Sequence, residues 1–198
     1  MGEATYYAKF YFEDDKAAEA ALPKLVKFID EAAKAEDFWQ ENRFHLEWGD
    51  DKLAKALNSK EVAFSDVSAN VPGEATENFF KKHGKTYPAA AKDWKAHKIK
   101  VDDMHRKLKK MAPAVYAYLI KYCPKAVGPY EFNNAVAGQM DMSGQDSHAK
   151  QIGSVIRYHA TVWHFADWDP FMKWAKDELG AKKANWMSDE YVDPFDSL

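Results

Sequence analysis

The feature that most constrains the fold is a short internal repeat placed near the two ends of the chain. Tyr6-Tyr7-Ala8-Lys9-Phe10-Tyr11-Phe12 aligns with Tyr158-His159-Ala160-Thr161-Val162-Trp163-His164, and each copy is followed by acids and then an amphipathic helix. Aromatic and β-branched runs of this kind read as strands. After Phe12, Asp14 or Asp15 can cap a helix whose Leu22, Leu25, Ile29 and Ala32 recur at helical spacing, with Pro23 expected to kink or restart it. After Phe165, Asp169-Pro170 reads as an N-cap and N1 pair. Phe171, Trp174, Ala175 and Leu179 line one face of the helix that follows, and Gly180 stops it. Closing strands are expected at Phe44–Trp48 or Val62–Val71 for the first unit and at Ala184–Val192 for the second, while Gln139–Gly153 reads as a loop. Two β-α-β units joined in this way predict an α+β chain with a ferredoxin-like split βαβ antiparallel sheet, the two repeat strands being its central neighbours.

Between the units lies a segment of different character. Residues 79–125 carry 13 Lys and Arg against three acids, although the whole chain has a formal net charge of −3. The middle is therefore basic and both flanks are acidic. This stretch reads as short helices broken at Gly84, Pro88, Pro113 and Pro124. Val101, Met104, Leu108, Met111, Val115, Leu119 and Tyr122 form one apolar stripe along it, read as core packing. The organisation expected is one domain over residues 1–198, with a basic helical insertion at 74–138.

Strand alternation divides the expected sheet into two faces. Tyr6, Ala8, Phe10, Phe12, Ile156, Tyr158, Ala160 and Val162 should lie under the helices. Tyr7, Lys9, Tyr11, Arg157, His159, Thr161 and Trp163 should share the other side. That second face is aromatic and basic, and a face of this kind calls for a partner, a ligand or the insertion to cover it. The candidate ligand-binding residues are Tyr7, Tyr11, Arg157, His159 and Trp163. An imidazole, a guanidinium and aromatic walls suit a flat small organic acid.

The stretch from His159 through Asp167-Trp168-Asp169 to Trp174 resembles the strand-to-helix joint of dimeric α+β-barrel proteins, the antibiotic-biosynthesis-monooxygenase-like group. In that group two ferredoxin-like sheets close into a barrel around a pocket for small organic molecules. The resemblance implies a pocket bearing Tyr7, Arg157, His159 and Trp163. The helical insertion departs from the compact domain of that family. His159-Ala160-Thr161-Val162 also resembles one His-x-Thr-x motif of the two-histidine phosphoesterases. The repeat partner, Tyr7-Ala8-Lys9-Phe10, supplies neither the second histidine nor the hydroxyl that such an acid–base pair requires.

Other chemistry is thinly represented. Cys123 is the only cysteine, so no internal disulfide or cysteine-built zinc cage is expected. Asp141, Ser143, Asp146 and His148 lack the spacing of a calcium loop. No phosphate-binding glycine loop, His-Glu-x-x-His or Gly-x-Ser-x-Gly is present. No metal, cofactor, membrane span or secretory leader is expected, and a cytoplasmic setting is. The leading expectation is a non-enzymatic interaction or structural protein that forms a homo-oligomer through its aromatic sheet face and basic insert. The alternatives are a small-molecule-binding α+β barrel, with cofactor-independent monooxygenase-like chemistry as one form, and a nucleic-acid-binding protein that uses the basic insert.

Overall fold

A computed structural model of the chain describes residues 4–42, 74–124, 147–162 and 168–188. In chain order the elements are β1 (Ala4–Tyr11), α1 (Asp15–Asn42), α2 (Glu74–His83), α3 (Pro88–Met111) and α4 (Pro113–Tyr122). Then come β2 (His148–Ile152), β3 (Val155–Val162), α5 (Trp168–Glu178) and β4 (Lys183–Ser188). The four strands form one sheet in the order β2-β3-β1-β4, with every neighbouring pair antiparallel. The two repeat strands are therefore central neighbours. In their register Phe10 faces Ile156 and Tyr7 faces His159, while Val162 lies far along at Ala4.

One expectation is corrected at the sheet edge. His148–Ile152, inside the stretch read as a loop, is strand β2. Its polar residues sit at an edge, where alternate side chains face solvent. Gly153 at φ 58° and Ser154 close it onto β3 as a two-residue hairpin with glycine first. The Gln151 amide donates to the carbonyls of Asp15 and Gly153, which ties the hairpin to the start of α1. The expected strands at Phe44–Trp48 and Val62–Val71, and residues 189–192 of the closing strand, lie outside the described residues. So do Trp163 and the side chains of Tyr6, Thr161 and Val162.

Helices cover one side of the sheet. Ala8, Phe10, Phe12, Ile156, Tyr158 and Ala160 are buried there, as strand parity requires. Asp14 caps α1 by accepting from the Ala17 N–H at 2.8 Å. The helix then runs unbroken through Pro23, which faces solvent, where water can serve the carbonyl left without its donor. Its buried stripe is centred on Leu25, Phe28, Ala32 and Ala35, with Leu22 and Ile29 at the margins. Helix α5 begins at Trp168, so Asp169 and Pro170 lie in its first turn, where the missing N–H of proline costs nothing. Gly180, at φ 81°, ends it and lets the Ala181 N–H return to the Ala175 carbonyl. Phe171 is the hub of the core. It meets Phe10 edge-on at 5.8 Å, stacks on Trp174 at 5.4 Å, and touches Phe28 and Tyr158.

The inserted helices break where glycine and proline dictate. Gly84 follows α2, and Pro88 and Pro113 take the first positions of α3 and α4. Val101, Met104, Leu108, Val115 and Leu119 are buried. Met111 remains 36% exposed because the chain leaves the helix at Ala112 and turns. Helix α4 packs on α1 and α5, with Tyr118 edge-on to Phe28 at 5.3 Å. At its far end Lys121 meets Glu178 at 2.6 Å and the Tyr122 hydroxyl donates to Asp177. This exposed contact joins basic insert to acidic body, and solvent screening keeps its contribution to stability small.

The stronger tie is buried. Ala112, at the N-cap of α4, offers no side-chain cap, and Pro113 has no N–H. Glu31 of α1, only 6% exposed, fills the gap. Its Oε2 accepts from the Ala114 N–H at 2.6 Å and the Val115 N–H at 3.4 Å. A carboxylate at a helix N-terminus satisfies orphan donors and complements the helix dipole. Glu31→Ala should lower unfolding free energy by about 1–3 kcal/mol in urea titration, because two partly buried donors lose their acceptor. A change within about 0.5 kcal/mol would mean that water replaces the carboxylate and that the cap does not hold α4 to α1.

Candidate functional site

The side of the sheet opposite the helices is ordered in rows, because antiparallel register aligns residues across all four strands. His148, His159, Tyr7 and Met187 form the first row. Lys150, Arg157, Lys9 and Asn185 form the second, and Ile152, Val155, Tyr11 and Lys183 the third. The rings of the first row touch, with His148–His159 centroids at 4.6 Å and His159–Tyr7 at 5.2 Å. The second row sets three cations in line and ends on the neutral Asn185. In the third, the Lys183 ammonium lies over the Tyr11 ring at 5.5 Å.

Four of the expected site residues, Tyr7, Tyr11, Arg157 and His159, thus share one face and are half-buried there. Trp163 lies outside the described residues. His148, Lys150, Lys183 and Asn185 belong to the same surface and are exposed, but sequence reading passed them over. His148 and Lys150 share a face of β2 with Ile152, but three exposed side chains at alternate positions give no apolar pattern that marks a strand. Across all three rows the face carries Lys9, Lys150, Arg157 and Lys183 and no carboxylate among the described positions. A shallow concavity of about 100 Å³ runs along it between Tyr7, Tyr11 and Met187. Among the described residues no three His, Cys, Asp or Glu side chains group as metal ligands.

A second basic surface lies on the insert. A cleft of about 990 Å³ between α2 and α3 is lined by Lys81, Lys82, Lys85, Lys92, Lys95 and Lys98. Its carboxylate, Glu77, is engaged by the Trp94 indole N–H at 2.6 Å and by Lys98 at 3.3 Å. Behind the cleft His97 is buried and stacks on Trp94, with centroids 5.8 Å apart. Burial, and secondarily the nearby Lys100, push its pKa down to about 4. His97 is therefore neutral in the folded chain where the unfolded chain already binds a proton. Its contribution is intact above pH 6.5 and is lost as pH falls towards 4. Acidification through that window should loosen the α2–α3 packing, read as a change in Trp94 emission. His97→Phe should flatten the response, and an unchanged profile in that variant would remove His97 as its source.

No family model, no curated protein and no solved structure matches this chain. The chemistry that the sheet face offers is stacking area beside a row of cations. No helix among the described residues is long and apolar enough to cross a membrane.

Proposed function

We propose that this chain is a non-enzymatic binding protein of ferredoxin-like architecture whose sheet face opposite the described helices contacts an anionic partner. The architecture is supported by the strand order β2-β3-β1-β4 and by one helix following β1 and another following β3. The observation that carries the function is the composition of the face. It bears four cations and no carboxylate among the described positions, beside a row of touching rings.

A barrel-type pocket for a small organic acid is less well supported. The concavity on the face is about 100 Å³, whereas small-molecule sites span roughly 300–1,000 Å³. A homodimer made by apposing two copies of this face would set cations against cations, and like charges so placed disfavour the contact. Self-association remains as a second reading in another geometry. Asp30, Asp37 and Glu41 are exposed on α1, with Lys34 among them, and offer three carboxylates to the sheet face of a second copy.

The reading is tested by retention on immobilised heparin across a salt gradient. The chain should be retained despite its net charge of −3, and Lys150→Glu/Lys183→Glu should elute at markedly lower salt. If Lys92→Glu/Lys95→Glu abolishes retention instead, the contact surface is the insert and the reading falls. Light scattering at moderate salt addresses the second reading. It expects a concentration-dependent dimer or higher species that Lys150→Glu/Lys183→Glu breaks, and a monomer in every sample eliminates it.

A further inference from the structure

The order of the rows says more about the partner than its charge. A highly sulfated polysaccharide or an acidic peptide would use the Lys150–Arg157–Lys9 row and leave the His148–His159–Tyr7 row without a role. The ring row crosses three adjacent strands, with centroids 4.6 and 5.2 Å apart. The cation row runs parallel to it, two residues along every strand. At strand rise that offset is roughly 6.7 Å, similar to the reach from a nucleobase to its own phosphate. A ligand matching both rows carries flat rings on one edge and negative charge on the other, repeated along its length.

Resting on the reading of this face as the contact surface, we propose that its partner is a single-stranded nucleic acid. Its bases lie against His148, His159 and Tyr7, and its phosphates along Lys150, Arg157 and Lys9. Aromatic platforms of this kind accept any base because every base presents a π-face. A duplex keeps its bases stacked inside, so it meets the cation row and not the rings. Among the described residues the concavity between Tyr7 and Met187 holds about 100 Å³, too little to enclose a mononucleotide. A strand lying across the sheet needs no enclosure. Met187 beside Tyr7 continues the ring row with a soft apolar side chain, and Asn185 beside Lys9 continues the cation row with a neutral polar one. The charged part of the track therefore ends at β1 and is concentrated on β1, β2 and β3. Lys183, over Tyr11, adds a further cation at the β4 edge.

The experiment is fluorescence anisotropy with the full chain. The probes are labelled oligothymidylate, oligouridylate, an abasic DNA of equal phosphate number, and a duplex of equal length. The proposal expects either oligonucleotide to bind at least tenfold more tightly than the abasic strand and the duplex. The logarithm of the binding constant should fall against the logarithm of salt with a slope of roughly −2 to −3, for three or four phosphate contacts. Tyr7→Ala and His159→Ala should each weaken oligonucleotide binding roughly tenfold to a hundredfold and leave abasic binding unchanged. Tyr7→Phe and His159→Phe keep a ring and the strand, so they should bind within a fewfold of the parent. They serve as the decisive pair if an alanine variant fails to fold. Lys150→Ala should reduce the slope by about 0.7.

A difference between oligothymidylate and oligouridylate would name DNA or RNA as the better form of the same partner. Equal affinity for oligonucleotide and abasic strand overturns the proposal but leaves the polyanion reading standing. So does a duplex bound as tightly as the single strand. Binding lost in Lys92→Glu/Lys95→Glu and retained in the ring variants places the contact on the insert and overturns both. No binding to any probe and no retention on heparin overturns both. A salt-sensitive self-association broken by Lys150→Glu/Lys183→Glu, with no binding to any probe, names a second copy as the occupant and overturns the proposal.

Discussion

The pairing of β1 with β3 governs the rest of the molecule. These strands come from opposite ends of the chain, and their register decides which side chains meet. Because strand side chains alternate, a slip of β1 by one residue would turn Phe10 out of the core and Tyr7 into it. The same register places Phe10 under Phe171 and Tyr7 beside His159. Core and candidate surface are thus two sides of a single decision. The aromatic core under α1 and α5 supplies the free energy that holds the register, and the face opposite inherits its order.

Glu31 has the corresponding role between the sheet-covering helices and the insert. Helix α4 starts with a proline and lacks a cap of its own, so its N-terminus has to be completed from elsewhere. The carboxylate comes from the middle of α1, beside Phe28 and Ala32 in the main stripe. The exposed contact at Lys121 and Glu178 adds charge complementarity at the other end of α4. Its hydrogen bond from Lys121 holds the Glu178 carboxyl below the usual range, in keeping with a surface ion pair. Directional bonding at one end and screened charge at the other keep α4 seated while the cleft between α2 and α3 stays separate from the main core.

Much of this plan is legible in the residues, for reasons that can be named. The alternation of Tyr7, Lys9 and Tyr11 with Ala8 and Phe10 is readable because a central strand covered on one side separates its faces cleanly. The helix breaks at Gly84, Pro88 and Pro113 are readable because glycine and proline act on the local backbone. Strand β2 is not, since an edge strand exposes His148, Lys150 and Ile152 to water and lacks the apolar alternation that marks a core strand. With β2 hidden, one of the three rings of the first row and the outer cation of the second were hidden too. The repeat led to the right neighbours and set Phe10 against Val162, yet the partner of Phe10 is Ile156, because the Gly153–Ser154 hairpin and local pairing set register and sequence similarity does not. Glu31 is invisible from sequence. An acid on an amphipathic helix looks like any solvated one until the uncapped start of α4 is brought against it.

The placement of the central strands also bears on how the chain is made. β1 emerges before its partner, which is translated only after α1 and the whole insert. At roughly 5–20 residues per second, that separation leaves β1 without β3 for about 8–30 s. Through that interval a segment with five aromatic residues between Tyr6 and Phe12 presents unsatisfied backbone edges on both sides. Lys9, in the middle of that run, then acts as a gatekeeper charge against strand-to-strand association between nascent chains. The lysine that contributes to the cationic row of the finished sheet thereby protects the unfinished one from its own copies.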